Sequence, residues 1–191
     1  MSDLFFKLQD ELEPVLRAGE LEECDSHIAQ TLRGLPVSPF HQVLDLQFTN
    51  PPKEVAAQFD AFFRKEQKRF SIQAAYTETN GFDINTDCWY FDFFAYKAYG
   101  GTTDFAWICD WQSTSWPDMA LTGMETLQDV YASDAFGEES FDEASNLCSL
   151  LVVSRFQLLI AKSAPLMREL HFPLLATGHD FNYIAEVLPK K

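Results

Sequence analysis

CWYFDFFAYKAYGGTTDFAWICDW, residues 88–111, contains three Trp, four Phe and three Tyr around a Gly-Gly pair. The side chains on each flank of that pair alternate with the period of two that is typical of a β-strand. Glycine pairs of this kind favour hairpin turns. We therefore predict two antiparallel strands joined by a tight loop, with Asp92 inside the first strand and Asp110 inside the second.

The register of this predicted hairpin follows from its largest rings. If the aromatic side chains share the core face, Phe91 pairs with Trp111, because a slip of one residue would turn one strand over. Asp92 then lies directly opposite Asp110, with the two Cβ atoms about 5 Å apart. Two carboxylates at that distance destabilise each other unless a proton, a cation, a metal ion or water relieves them.

The face that carries the two carboxylates allows three interpretations. Exposed acids can simply keep an aromatic sheet soluble. Alternatively, the rings supply contact area and the acids select a basic partner, or the carboxylate pair serves acid–base or metal chemistry. We adopt the recognition surface as the working hypothesis. Its predicted partner-binding residues are Tyr90, Asp92, Phe94, Tyr96, Ile108, Asp110 and the loop residue Trp116.

The N-terminal third of the chain has the period of an α-helix instead. Apolar side chains recur there at helical spacing in three stripes. Pro14 is expected to kink or end the first helix, and Pro51 and Pro52 are expected to mark the start of the third. The stripes are Phe5, Leu8, Leu12 and Leu16; Leu21, Cys24, Ile28 and Leu32; and Val55, Phe59, Phe62, Phe63 and Phe70.

Two motifs predict further helices after the predicted hairpin. Thr122 with Glu125, and Ser140 with Glu143, match the capping box that begins many helices. The segment after the second box, residues 141–164, is apolar on most sides. We predict that it forms a long buried helix packed on the sheet.

The C-terminal segment predicts two more short strands, one on each side of Gly178. Together with the elements above, this indicates one α+β domain spanning residues 1–191, in which a central antiparallel sheet is covered by helices. The length of 191 residues suits one domain with a full hydrophobic core.

The charge of the chain restricts its partners. The net charge is −15, and residues 71–147 contain fourteen acids but only one base, Lys97. Such a field repels nucleic acid and anionic membranes, and it speeds encounter with a basic protein. An acidic surface can also serve solubility alone. We therefore predict a basic protein partner and neither a nucleic-acid nor a membrane partner.

The cysteines and the N-terminus favour a cytoplasmic protein. The four cysteines lie far apart in the sequence, without the spacing of a disulfide framework or a metal site. The first residues lack the basic flank and unbroken apolar run of a signal peptide. The longest apolar segment, residues 147–161, is interrupted by polar side chains, which disfavours a membrane span.

Residues that could carry catalysis are few. No motif for a phosphate loop, a dinucleotide site, a nucleophile elbow or a zinc site occurs in the sequence. His179 and Asp180 lie side by side at a predicted turn, where they could join Asp92 and Asp110 in acid–base chemistry. A turn of this composition is more often only a turn. We predict no catalytic residue, cofactor or metal.

In size, acidity and the absence of a catalytic motif, the chain resembles the acidic cytoplasmic immunity proteins that bacteria make against their own toxins. This resemblance is one of length and composition and carries no functional residue over. It implies a one-to-one complex that blocks a basic toxin through the acidic sheet face or the loop at 113–119. We therefore predict a non-enzymatic protein-binding domain. The alternatives are a hydrolase or metal-dependent enzyme, and a regulatory or scaffold subunit.

Overall fold

The computed structural model describes residues 2–81 and 84–188. Three helices come first in this part of the chain, followed by three strands, two helices and two strands. The helices are α1 (Asp3–Arg17), α2 (Leu21–Arg33), α3 (Pro52–Glu66), α4 (Glu125–Tyr131) and α5 (Asp142–Ser163), and the strands are β1 (Ala74–Thr79), β2 (Tyr90–Tyr96), β3 (Met119–Ala120), β4 (Leu174–Gly178) and β5 (Ala185–Val187).

The described strands form one sheet in the order β3-β2-β1-β4-β5. β2 pairs antiparallel with β1 and with β3, and β4 pairs antiparallel with β5. β1 and β4 are parallel, so the sheet is mixed. The parallel pair is possible because the helices α4 and α5 lie between β3 and β4, and a long crossover can return the chain in the same direction. The α+β prediction is confirmed.

The first three helices bury the apolar stripes that predicted them. Every stripe residue of α1 and α2 is buried. α3 begins at Pro52 as predicted but ends at Glu66, so Phe70 lies beyond it. Pro14 does not end α1, which continues to Arg17. Pro14 has no N–H to donate to the carbonyl four residues before it. Because Pro14 is exposed, water can bind that carbonyl instead.

The two predicted capping boxes are wrong, although both helices exist. α4 begins at Glu125, whose carboxylate accepts hydrogen bonds from the N–H of Gly123 at 2.9 and 3.0 Å. α5 begins at Asp142 after a short 3-10 turn, and the Ser140 hydroxyl donates to Glu138. Each predicted hydroxyl residue lies too far before its helix to cap the first N–H groups.

The helix α5 is buried along most of its length, as predicted, and packs on α2, α3 and β4. The side-chain amide of Gln157 ties it to the sheet by donating to the carbonyls of Ala176 and Tyr183. The run Glu139–Leu166 is long and apolar enough to cross a membrane by length and composition, and 72% of its most apolar window is buried inside the protein. The core helix of a soluble protein meets the same criterion.

The predicted hairpin is wrong. β2 forms, but it pairs over six positions with β1, and the second half of residues 88–111 contains a 3-10 turn at Ala106–Cys109. Residues 97–111, which we name the cover segment, fold back over the sheet face opposite the helices. Trp107 stacks edge-on against Tyr96 with ring centroids 4.8 Å apart. Phe105 and Trp107 of this segment are therefore partly buried by packing on the sheet and not by joining it as a strand, while Tyr99 and Trp111 stay exposed.

Candidate functional site

Glu78, Asp92, Asp118 and His179 meet on the sheet face opposite the helices, and we name them the acidic cluster. Glu78 of β1 is the direct cross-strand partner of Asp92 of β2. Asp118 immediately precedes β3, which pairs with β2, and its carboxyl group hydrogen-bonds to Asp92. His179 follows β4, and its Nδ1 lies 3.2 Å from Oε1 of Glu78. The cluster therefore depends on four separate parts of the chain.

The surroundings of Asp92 favour its protonated form. Burial has the largest effect, followed by the hydrogen bond with Asp118 and the negative charges of Asp118 and Glu78. Together they raise the pKa of Asp92 to about 7, although the charge of His179 acts in the opposite direction. A hydrogen bond between two carboxyl groups requires a proton on one of them. Asp92 can thus exchange a proton with solvent near neutral pH.

The other carboxylate of the cluster, Glu78, accepts hydrogen bonds from within the fold. The hydroxyl of Tyr76 donates to its Oε2 at 2.5 Å. Burial, followed by the charge of Glu78, raises the pKa of Tyr76, so this hydroxyl stays a donor. His179 lies between Glu78 and the exposed Asp180, whose Oδ2 is 3.7 Å from Nε2 of the ring. The histidine is therefore flanked by two carboxylates.

A small pocket of about 220 Å³ opens beside Asp92 and Asp118. Its walls include Trp111 and Trp116 together with the hydroxyl residues of the intervening loop. Trp111 is 52% exposed, and its ring stands edge-on against Phe94 at 5.3 Å. The pocket thus combines two carboxyl groups with aromatic walls.

Helix α3 holds the loop that forms the pocket wall. Glu66, fully buried, accepts hydrogen bonds from the hydroxyl of Thr114 at 2.6 Å and from its N–H at 3.3 Å. Lys65 donates to the carbonyl of Ser115 and lies over the Trp116 ring. Arg69 pairs with Glu66 and donates to a further carbonyl in the loop. The position of the tryptophans is therefore fixed by a buried ionic anchor.

Across residues 2–81 and 84–188, no ion pair joins a Lys or Arg to Glu78, Asp92 or Asp118. Lys97, the one base in the acidic part of the sequence, lies over the Phe70 ring. His179 is thus the basic residue that the fold brings to these carboxylates.

The residues predicted for partner binding separate into two groups. Tyr90, Asp92 and Phe94 share the face of the acidic cluster and are partly exposed, and Trp116 borders its pocket. Tyr96 is buried under the cover segment, and its hydroxyl donates to the carbonyl of Ile108.

Two predicted relationships between the site residues are corrected. Asp110 ends the 3-10 turn and is exposed, and the residue opposite Asp92 is Glu78. The alternative site of Asp92, Asp110, His179 and Asp180 forms only in part. Glu78 lies between His179 and Asp92, whereas Asp110 lies elsewhere, on the cover segment. The pairing of β2 with β1 in place of the cover segment causes both changes.

Three residues of the site were missed by the sequence reasoning. Glu78 and Tyr76 are two residues apart and share one face of β1, so pairing this segment with β2 would have placed Glu78 beside the acid of the neighbouring strand. Asp118 precedes a strand of only two residues, for which the sequence has no periodic signal. Trp111 was assigned to the core face, whereas it is exposed.

Metal binding and similarity to other proteins give no further assignment. Within residues 2–81 and 84–188, no group of three or more His, Cys, Asp and Glu side chains has the arrangement of a metal site. Comparisons with protein-family models, with curated proteins and with solved structures found no match to this chain. The acidic cluster is therefore the feature of the chain that indicates a function.

Proposed function

We propose that the chain is a non-enzymatic protein-binding domain that holds a basic side chain of its partner at the acidic cluster. The observation that carries this proposal is the convergence of Glu78, Asp92 and Asp118 with no ion pair to Lys or Arg in the described chain. Each carboxylate makes ionisation of its neighbours less favourable. An ammonium or guanidinium group from a partner would remove that repulsion, and the carboxylates would in turn bind the cation.

The pocket beside the cluster supports a Lys or Arg side chain as the bound group. Its volume of about 220 Å³ is below the roughly 300–1,000 Å³ of sites for drug-sized ligands. Aromatic faces attract cations, and the apolar stems of Lys and Arg pack well on rings. Trp111 and Trp116 offer such rings next to the carboxyl groups of Asp92 and Asp118.

The partner we propose is a basic protein, such as a toxin or an enzyme, that the chain inhibits in the cytoplasm. The resemblance of this acidic chain to immunity proteins suggests this class of partner. The excess of acids in residues 71–147 would speed the encounter, because a field of one sign steers a partner of the other sign. The affinity of the complex would come from the pocket, where a cation of the partner would lie between carboxylates and aromatic rings and away from water.

Affinity capture with two isosteric double variants tests this proposal. The site variant carries Asp92→Asn and Asp118→Asn, and the control carries Asp129→Asn and Asp134→Asn, two exposed acids in and after α4. Both lose the same formal charge. From a lysate of the producing cell, we expect wild type and control to retain the same basic protein, and the site variant to bind it about tenfold more weakly or worse.

Circular dichroism must first show that all three proteins are folded. Equal retention of the partner by the site variant would contradict binding at the acidic cluster. An equal loss in the control would mean that overall charge, and not the cluster, holds the partner.

A second candidate function, hydrolysis, is favoured by one specific observation. Asp92, with its pKa raised to about 7, shares a hydrogen bond with Asp118 beside a pocket, and His179 is near. A carboxyl pair that carries one proton can act as general acid and general base near neutral pH. In this reading, Asp92 would donate the proton and Asp118 would accept one.

Chromogenic esters and phosphomonoesters provide the test of this second candidate. If the pair is catalytic, hydrolysis by wild type should depend on pH with an inflection near 7, and Asp92→Asn should abolish both the activity and the inflection. Activity that is equal in wild type and in the Asp92→Asn variant would eliminate hydrolysis at this site.

A further inference from the structure

A second surface, at the β5 edge of the sheet, has the properties of a peptide-binding groove. It lies between α1 and the edge strand β5, with the cover segment near Thr102 and Phe105 on one side. Its volume of about 650 Å³ falls within the roughly 300–1,000 Å³ that is typical of binding sites. None of the acidic-cluster residues lines it.

The floor of this groove is bordered by an unpaired sheet edge. β5 is the last strand of the sheet and pairs with β4 on its inner side. Among the described residues, no backbone hydrogen bond joins residues 184–188 to any segment other than β4. An edge strand in this condition presents N–H and C=O groups that an extended peptide can bind as an added strand.

The groove also exposes large apolar side chains at its rim. Phe6 of α1 is 52% exposed, and Leu188, just after β5, is 62% exposed. Both border the groove together with the buried Leu16 and Tyr183 at its base. Exposed apolar side chains around a concave surface are typical of binding sites for apolar groups.

The charges of the rim define which peptide fits. Among the described residues that border the groove, Asp10, Glu13 and Glu186 are acidic and Arg17 is basic. Arg17 is already paired with Glu13 at 2.6 Å. Glu186 accepts a hydrogen bond from Tyr99, which leaves its charge in place. The rim therefore has an excess of negative charge that favours a basic segment.

We propose that this groove binds an extended segment of a partner protein, containing both apolar and basic residues, as an added strand beside β5. Apolar side chains of the segment would contact the rim residues Phe6 and Leu188, and basic side chains next to them would meet the neighbouring acids Asp10 and Glu186. A second copy of this chain fits less well, because it would present the same concave groove, and two concave surfaces do not fill each other. The groove lies outside the acidic cluster, so it would give a protein partner a second binding site on this chain.

Two synthetic peptides test the groove directly. The first has the sequence Lys-Val-Lys-Val-Lys-Val and the second Glu-Val-Glu-Val-Glu-Val, both with blocked termini. Titration of isotope-labelled protein should show that the basic peptide binds with a Kd of about 1 mM or tighter and slows hydrogen exchange of amides in residues 185–188. The acidic peptide should bind about tenfold more weakly.

Matched variants separate the groove from the acidic cluster. Phe6→Ser with Leu188→Ser should abolish protection of residues 185–188, while Val37→Ser, at a side chain that is 88% exposed elsewhere, should not. Asp92→Asn with Asp118→Asn should leave the protection intact, so a failure of the proposed function would not affect this result.

Three outcomes would overturn the groove proposal. The first is that the peptide gives no protection of residues 185–188. The second is that protection survives in the Phe6→Ser, Leu188→Ser variant. The third is that light scattering shows a dimer that the same variant dissociates, because the groove would then be a contact between copies of the chain.

Discussion

Asp92 lies directly opposite Glu78 on neighbouring antiparallel strands, and its carboxyl group also hydrogen-bonds to Asp118. Like charges in direct cross-strand positions destabilise a sheet. The fold keeps them together because the register of β1 and β2 is set by the apolar residues on the opposite face, such as Phe91 and Phe93, which pack on the helices. The cluster therefore costs stability that a bound cation would restore.

Replacing Asp92 by Asn should stabilise the protein at alkaline pH. The pKa of Asp92 is raised to about 7 in the folded protein, whereas an unfolded Asp titrates near about 3.9. The folded state therefore binds the proton more tightly, and stability falls as pH rises between these two values. Above pH 7, Asp92 is ionised in the folded protein, and Asn removes the whole loss of stability that this ionisation causes. We expect Asp92→Asn to raise Tm at pH 8 and to change it little at pH 4.

The control for this experiment is Asp129→Asn, which removes an exposed acid of α4 outside the acidic cluster and should raise Tm at pH 8 by less than Asp92→Asn does. A Tm difference for Asp92→Asn that stays constant from pH 4 to pH 8 would contradict the raised pKa of Asp92.

The buried carboxylate of Glu66 should be essential for the wall of the pocket. Glu66→Ala removes the acceptor for both donors of Thr114 and the partner of Arg69. Leaving these groups without a partner should lower the free energy of unfolding by about 2–3 kcal/mol. Thr114→Val, which removes one hydroxyl bond, should cost about 1 kcal/mol. Urea denaturation measures both, and equal costs would contradict the anchoring role of Glu66.

Arg155 of α5 should be needed as arginine and not merely as a cation. Its guanidinium donates to the carbonyls of Val43 and Leu46 and forms an ion pair with Asp25 at 3.4 Å. A lysine carries a single ammonium group and cannot reach all three acceptors with the same geometry. Arg155→Lys should therefore lower the free energy of unfolding by about 2–4 kcal/mol.

Arg33→Lys, at an exposed arginine at the end of α2, is the control for Arg155→Lys and should have almost no effect. If thermal or urea unfolding showed Arg155→Lys to be as stable as wild type, the three contacts of Arg155 would be dispensable.

Gly100 should be required for the cover segment to lie on the sheet. A Cβ atom at this position would stand where the ring of Trp107 now lies. Gly100→Ala should therefore displace Trp107 from Tyr96, lower stability by about 1–3 kcal/mol, and shift tryptophan fluorescence toward longer wavelength. Ala98→Ser, at a nearby exposed position, should leave the fluorescence unchanged. An unchanged spectrum for Gly100→Ala would contradict the packing of the cover segment.

The helices could be predicted closely because their signal is local. In α1, the spacing of Phe5 and Leu8 alone places both on one face, and both are buried. α5 was predicted within a few residues because a continuous apolar run of its length is also a local signal. The candidate site could be predicted only in part. Asp92 was found because it interrupts an aromatic strand, but Asp118 lies next to a two-residue strand with no pattern of its own.

Local patterns in the sequence by themselves determined which segments are helices and that β2 is a strand, and the composition by itself concentrates the acids in residues 71–147. These properties depend on residues close together in the chain. Only the tertiary structure decided that Asp92 faces Glu78 and not Asp110, and that residues 97–111 cover the sheet. Strand pairing is a contact between distant segments, and either pairing of β2 buries aromatic rings. The longer pairing with β1, packed on the helices, is the one the fold adopts.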